Sequence, residues 1–408
     1  MSIIVQKFGG SSVADPARIK HVASLAIREK EAGRQVVVVV SAMGKTTDNL
    51  LKMAGELSEA PPAREIDMLI STGEQVTIAM LAIAIQAAGV KAISFTGPQV
   101  GIVTDSSHRK AKIVRINDEK IRRALDRENI VIVAGFQGGT EDNEVTTLGR
   151  GGSDTTAVAL AAVLKAEVCD IYTDVDGVYT TDPRIVKNAR KLDNISYDEM
   201  LELASVGAKV LHSRSVEFAK NYDVPIQVRS SFLDVPGTMV TKEVKEMEDI
   251  VVSGVAYNRS EAKISLIGVP DRPGVAAELF TFLGEANICV DMIIQNVGEN
   301  GTNDISFTVS KDDLEDALKV TEEAAKELQA REIRHNREIA KISVVGVGMK
   351  SHAGVAATMF RALAKNSINI EMISTSEIKI SCLIREDDVD RAVQAIHEEF
   401  ELEEAAQV

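Results

Sequence analysis

Only three cysteines stand in this 408-residue chain, and no two of them are close in sequence. Cys169, Cys289 and Cys382 sit in apolar surroundings. They read as buried thiols of a reducing compartment, not as disulfides or metal ligands. No Cys/His cluster has metal-ligand spacing and no Gly-x-Ser-x-Gly elbow occurs, so neither a resident metal nor that hydrolase motif is expected. The apolar stretches look too short or too interrupted to span a bilayer. Met1–Val5 has no basic region and no cleavage site, so no secretory leader is expected and the location reads as cytoplasmic. Positive charge is also in short supply, with 46 basic against 61 acidic residues and a net charge of -15. That balance disfavours nucleic acid as a partner. What remains is globular composition, 45% hydrophobic and 26% charged, with no low-complexity tract. The length exceeds one typical core, so two or three domains are expected.

Strand and helix patterns alternate through the first part of the chain. Ile3–Val5 is a short apolar strand. Asp15-Pro16 looks like an N-cap followed by a first-turn proline, opening a helix to about Glu31. Gln35–Val40 contains consecutive valines, the pattern of a strand buried on both faces. Helices are expected near Thr47–Leu57 and Glu74–Ala88. Further strands are expected at Ala92–Phe95, Ile130–Phe136, Cys169–Thr173 and Pro225–Val228. This alternation predicts an α/β fold, a mostly parallel central sheet sandwiched by helices.

The last part of the chain repeats itself after about 80 residues. Ile264–Val269 corresponds to Ile342–Val347, Gly274–Ala277 to Gly354–Ala357, and Asp291-Met292-Ile293 to Glu371-Met372-Ile373. Each copy reads strand, glycine loop, helix, strand, strand, helix, which predicts two βαββαβ units. Lys311–Glu338 holds the last helix of the first copy and a connector. Thr241–Asp249 is charged and reads as a hinge. The division expected is 1–247, 248–330 and 331–408, and Met247 is a candidate internal start for a separate repeat-only subunit.

Several polar segments lie where an open α/β sheet binds ligands, beyond the strand ends. Lys7-Phe8-Gly9-Gly10-Ser11-Ser12 follows the first strand. Paired glycines let backbone N–H groups approach phosphate oxygens, and Lys7 adds a full charge. Read blandly, it is a tight turn. Gly44-Lys45-Thr46 resembles the end of a Walker A loop, but Val39 stands where that pattern needs glycine. Ser41 ends the valine strand and is placed to touch a ligand. Gly149–Thr156 brings a guanidinium, a hydroxyl and a carboxylate together before an alanine-rich helix. Arg150 is suited to grip a carboxylate with its fork. Asp154 is suited to accept from a substrate ammonium or to orient Lys7, and Ser153 or Asp154 equally suits a helix N-cap. Tyr172–Arg184 is a polar loop whose carboxylates and Arg184 could hold a nucleotide, with Mg²⁺ on its phosphates. Lys209 lies in an apolar setting, where a plain snorkelling lysine is the alternative.

In this order and spacing, Lys7–Ser12, Ser41–Gly44, Ser71–Glu74, Gly149–Asp154, Tyr172–Arg184 and Gly207–His212 resemble the aspartokinase family of the amino acid kinase fold. The repeat resembles that family's paired ACT domains, and the likeness spans essentially the whole chain. It is nearest to the short lysine-pathway bacterial enzymes. The resemblance implies transfer of the γ-phosphoryl of MgATP to the β-carboxylate of aspartate. It implies Lys7, Asp154 and Lys209 as catalytic. It places Lys7, Phe8, Gly9, Gly10, Ser41, Thr173, Asp174, Tyr179, Asp182 and Arg184 along ATP. It places Thr47, Glu74, Arg150, Gly151, Gly152 and Ser153 around aspartate. Mg²⁺ would arrive on the nucleotide. Asp271, Pro273, Gly274, Val275, Ala276, Gln295 and Asn296 would line a site for lysine, threonine or both, closed by Asn369, Ile370 and Ser376. A homodimer or an α2β2 assembly through the ACT domains is implied. Ser213 departs from the family's usual proline, which implies a less rigid loop after Lys209.

Two other readings stay open. One is a kinase of the same fold acting on another acidic substrate. The other is an amino-acid sensor with an inactive kinase-like domain. The repeats themselves could also serve only as an assembly module.

Overall fold

The structure, a computed structural model, describes residues 1–207, 210–242, 251–297, 301–350 and 352–403. It divides into two compact units. One holds Met1–Val178, Lys191–Ser205 and Lys209–Lys245, and the other Tyr179–Arg190, Val206–Ala208 and Glu246–Val408.

To residue 241 the chain forms β1 (Ile3–Phe8), α1 (Pro16–Glu31), β2 (Gln35–Val40), α2 (Thr46–Leu57), α3 (Ala63–Ile70), α4 (Thr72–Ala87), β3 (Ala92–Phe95), β4 (Ile102–Thr104), β5 (Ile113–Ile116), α5 (Glu119–Asp126), β6 (Ile130–Ala134), β7 (Gln137–Gly139), β8 (Val145–Thr147), α6 (Gly152–Leu164), β9 (Val168–Thr173), β10 (Asn194–Ser196), α7 (Tyr197–Val206), α8 (Ser213–Tyr222), β11 (Ile226–Ser230) and β12 (Thr238–Thr241). Eight strands make the main sheet in the order β10-β12-β11-β9-β1-β2-β6-β3. Its described pairings are parallel except β11 with β12, as the alternating pattern predicts.

Local chemistry explains the elements. The Asp15 side chain accepts from the Arg18 N–H at 2.9 Å, and Pro16 opens α1 with its fixed φ. Val36–Val40 are all buried, so this strand meets protein on both faces. Each fully buried valine contributes about 1.5–3 kcal/mol before entropy is counted. On one face Ile4, Phe8, Val36, Val38, Val40, Ile130 and Ile132 pack against Ile19 and Val22 of α1 and Ile78, Leu81 and Ile85 of α4. On the other face α6 packs over β1, β2 and β9.

One feature was not visible in the sequence pattern, and one expectation needs correction. A second sheet, β5-β4-β7-β8, has strands of three or four residues, too short for a visible period. By length and composition alone Ala63–Ala87, which spans α3 and α4, would reach across a membrane, but half of its most apolar window is buried inside the fold, as in a core helix. Cys289 is exposed, whereas Cys169 and Cys382 are buried. Cys289 follows buried Ile288 in the irregular segment after the α9 turn, and the two residues differ in exposure.

The second unit carries β13 (Gly254–Pro270), α9 (Val275–Glu285), β14 (Ile293–Val297), β15 (Thr302–Ser310), α10 (Leu314–Glu327), β16 (Glu332–Val345), α11 (Val355–Lys365), β17 (Met372–Thr375), β18 (Lys379–Arg385) and α12 (Val389–Glu399). They form one sheet, β14-β15-β13-β16-β18-β17. The expected connector after α10 is thus strand β16. The two copies interleave. Lys263–Ile267 of β13 pairs with the start of β16, while Gly254–Asn258 pairs with its end. One core runs from Ala262 to Leu328, with Ile333 packed against it; the other joins Val252 and Val255 to Ala340–Leu402. The second copy's last strand, its fourth, therefore comes from Gly254–Asn258, and no strand follows α12 among the described residues. The copies are tied reciprocally. Lys263 pairs with Glu371 at 2.5 Å, and its counterpart Lys341 pairs with Asp291. Most of the expected hinge, with Met247, lies outside the described residues.

Candidate active site

The carboxyl ends of β1, β2 and β9 open onto the glycine and hydroxyl segments picked out by sequence. Lys7 is the penultimate residue of β1, so it points to the face opposite Gln6 and Phe8. That is the α6 face, and Asp154 stands in the first turn of α6. The Lys7 ammonium lies 2.6 Å from Asp154 Oδ1, with each side chain about one-eighth exposed. The contact brings the charges together without the angles of a hydrogen bond. Phe8 is fully buried and stacked on Tyr172 at 4.5 Å between ring centres. Only its backbone is available to a ligand, because its side chain faces the core.

Gly9, Gly10 and Ser41 adjoin Lys7. The Ser41 N–H donates to Phe8 O at 3.1 Å, and Gly44 N–H to Gly10 O at 3.0 Å. These bonds tie the loop after β2 to the loop after β1. A Cβ on Gly10 would lie 2.9 Å from Ala42 O, so only glycine allows this approach. Thr47 is half-buried in the first turn of α2. Glu74, in the first turn of α4, is buried and accepts from the Ala42 N–H at 3.0 Å. Its second oxygen, Oε2, is buried without a hydrogen-bond partner among the described residues. Burial pushes this carboxyl up to about 7, against the backbone hydrogen bonds that favour its ionised form.

The second glycine loop is held from several sides. Gly151 has φ 72°, and a Cβ there would come within 2.2 Å of the His212 ring. Ser153 is buried against Gly135, and Gly152 is buried at the start of α6. Arg150 is exposed and forms no ion pair among the described residues. His212 caps α8. Burial, aided by the Arg214 and Arg150 charges and opposed by Asp154, holds its imidazole below the ordinary value.

Thr173 Oγ1 donates to Asp174 Oδ1 at 3.1 Å, at the end of β9. Tyr179, Asp182 and Arg184 belong to the second unit. There Asp182 accepts from Arg184 Nη2 at 2.7 Å and from the Tyr257 hydroxyl at 3.0 Å. Lys209 lies outside the described residues.

In the repeats, Asp271 accepts from Asn303 Nδ2 at 2.9 Å. Gly274 takes φ 99° as the N-cap of α9, with Pro273 before it and Val275 and Ala276 in the first turn. Gln295 and Asn296 are exposed on β14, one edge of the sheet. Asn369, Ile370 and Ser376 flank β17, the opposite edge.

Sequence reasoning passed over several residues that shape this region. Asp67, fully buried, accepts from the Thr147 hydroxyl at 2.5 Å, the Arg109 N–H at 3.0 Å and His108 Nδ1 at 2.9 Å. Ser231 meets Ser12 at 2.5 Å between hydroxyls and donates to Thr173 O at 3.0 Å. These residues belong to no glycine motif, and single polar residues in loops carry no spacing signal.

Residues 2–230 match the model of the amino acid kinase family, and residues 249–324 and 342–400 match an ACT domain model. The chain is 54% identical to an aspartate kinase of Pseudomonas putida, covering 100% of this chain and 99% of that one. The chain belongs to the aspartokinase family. Its fold is that of solved aspartokinases. E. coli aspartokinase III, crystallised with aspartate and ADP, superposes with a TM-score of 0.81 at 28% identity, over 97% of this chain and 99% of that one. The same enzyme crystallised with lysine and aspartate gives 0.75 at 27%, over 98% and 99%. Aspartokinases are ATP-dependent kinases that phosphorylate aspartate, and the amino acid kinase fold followed by ACT domains is their architecture.

Proposed function

We propose that this chain transfers the γ-phosphoryl of ATP to the β-carboxylate of L-aspartate, giving 4-phospho-L-aspartate. The observation that carries the reading is the Lys7–Asp154 ion pair at the mouth of two glycine loops, within a chain 54% identical to an aspartate kinase. A carboxylate oxygen forms the new bond to phosphorus as the bond to the bridging oxygen of ADP breaks. No general base is required, because the acceptor carboxylate is already ionised at neutral pH. Catalysis then rests on position and charge. Lys7 and Lys209 neutralise the moving phosphoryl, with Asp154 orienting Lys7. Gly9 and Gly10 offer backbone amides to the phosphates, near Ser41, Thr173 and Asp174; Tyr179, Asp182 and Arg184 also serve the nucleotide. Arg150 grips the aspartate carboxylate, and Glu74, Thr47, Gly151, Gly152 and Ser153 complete that pocket.

Mg²⁺ would arrive on the nucleotide and screen its phosphate charge. Lysine, threonine or both would act as effectors at Asp271–Ala276, Gln295 and Asn296, as the lysine complex of the E. coli relative suggests. Because β14 and β17 are opposite edges of one sheet, Asn369, Ile370 and Ser376 would complete that site from a second chain. Exposed edges of this kind favour pairing between copies, hence a homodimer or α2β2 assembly. We assign residues 1–247 to the kinase and 248–330 and 331–408 to the ACT repeats, and place the protein in the cytoplasm. The test is aspartate-dependent ADP release, with and without lysine and threonine. ADP release that ignores aspartate but follows another acidic substrate would overturn the reading.

A further inference from the structure

α8 begins directly after His212, and Arg214 is its second residue. The Arg214 guanidinium reaches back to donate to Leu148 O at 2.8 Å and to Ala111 O at 3.0 Å. Leu148 is the residue before Gly149–Ser153. Ala111 is joined to the same stretch, since its N–H donates to Thr147 O at 3.0 Å. The Leu148 N–H donates to Phe136 O at 2.8 Å, so this residue is fixed on both sides of its peptide. Two residues upstream of Arg214, the His212 ring fills the space a side chain on Gly151 would need. The start of α8 therefore holds the glycine loop at Leu148 and again at Gly151. Arg150, exposed and without an ion-pair partner among the described residues, stands between these two points.

We propose that Arg214 is a positioning residue for aspartate binding: its planar fork fixes the base of the 148–152 loop and thereby sets where Arg150 points. The inference rests on the reading that Arg150 grips the aspartate carboxylate. A fork suits the task because two carbonyls from two separate segments must be met at once, which a single ammonium cannot do. Arg214 is half-buried, so water replaces its two bonds poorly. A small shift of a gripping guanidinium is enough to lose affinity without touching the phosphoryl chemistry.

The test compares Arg214→Gln, Arg214→Lys and Arg150→Lys in the full-length enzyme, measuring kcat, both KM values and the melting temperature. Arg214→Gln is expected to raise aspartate KM about tenfold or more, with ATP KM changed less than about twofold and melting little altered. Arg214→Lys, which keeps one bond, is expected to raise aspartate KM by less. A purely structural role would lower melting and move both KM values together, which overturns the proposal, as does an unchanged aspartate KM. If Arg214→Gln does not fold, Arg214→Lys decides by the same criteria. Arg150→Lys separates the two levels. Should it raise ATP KM and leave aspartate KM alone, the reading of Arg150 fails. Arg214 then serves aspartate through the loop's other residues if its variants still raise aspartate KM, and the proposal falls if they do not.

Discussion

Two charges buried beside the sheet set different demands. Lys7 reaches the candidate site with Asp154 as its partner, and in the proposed role its charge counts most as charge develops on the phosphoryl group. Lys7→Ala is expected to lower kcat by about 100-fold or more, the scale of losing a preorganised charge, with a smaller change in aspartate KM. A variant retaining most of its kcat would sink that role. Glu74 carries a different prediction. Its folded value, about 7, means it is partly protonated at neutral pH, and its free Oε2 accepts a cation only when ionised. Log kcat/KM for aspartate should fall as pH drops through about 7, and Glu74→Gln should be lower and flat across that range. Asp170, on β9, is buried with neither oxygen hydrogen-bonded, and burial pushes it up to about 7 despite Arg229 at 3.6 Å. Because its folded value exceeds the ordinary 3.8, the native state binds more protons between these values. Stability from this group is thus present at low pH and lost as pH rises toward about 7. Urea midpoints across that window should fall less steeply in Asp170→Asn. An equal slope in variant and wild type would refute the assignment.

At the scale of elements, the repeats are held by charge as well as by apolar packing. Lys341 is only 4% exposed and lies 3.1 Å from Glu261 as well as close to Asp291. Burial opposes its charge, but the two carboxylates outweigh it and raise its value. Removing one member of a buried pair costs about 3–5 kcal/mol because the other charge is stranded. Lys341→Ala should therefore destabilise the ACT unit by that order in denaturant unfolding, whereas exposed Lys319→Ala should leave the midpoint nearly unchanged. The duplication was legible from sequence because Ile264–Val269 and Ile342–Val347 share a pattern. The exchange of strands between copies was not, since Gly254–Asn258 has no sequence counterpart after α12 to reveal that it completes the second core. Likewise the Val36–Val40 strand announced itself through five buried valines, while Gln137-Gly138-Gly139 is a strand made by its neighbours. In the site, glycines beside Lys7 and Arg150 could be read, because their spacing reports a backbone requirement. Arg214, Asp67 and Ser231 act through tertiary contacts alone, and no local pattern carries those.

For the whole molecule, regulation must pass from the repeats to the kinase as a difference in free energy between two states of the chain. An effector inhibits only by its differential affinity for those states, typically worth about 1–3 kcal/mol. Gly274 is the residue through which to test this. Its φ of 99° is one that side chains rarely adopt, yet a Cβ there would meet only Glu278 Oε1, at 3.7 Å. A substitution would strain the loop proposed to bind effector without a steric clash elsewhere. Gly274→Val should weaken binding of lysine or threonine at least about fivefold, the lower end of such couplings. Effector-free kcat and both KM values should stay near wild type, since the residue is in a repeat and not in a kinase loop. Linkage adds a second demand. If an effector raises the dissociation constant of aspartate, aspartate must raise that of the effector by the same factor. Titrating full-length wild type with lysine or threonine, with and without saturating aspartate, measures this directly. An effector that weakens aspartate binding while its own affinity ignores aspartate would contradict the coupled scheme. Loss of effector-free activity in Gly274→Val would instead make the loop part of the kinase's own support.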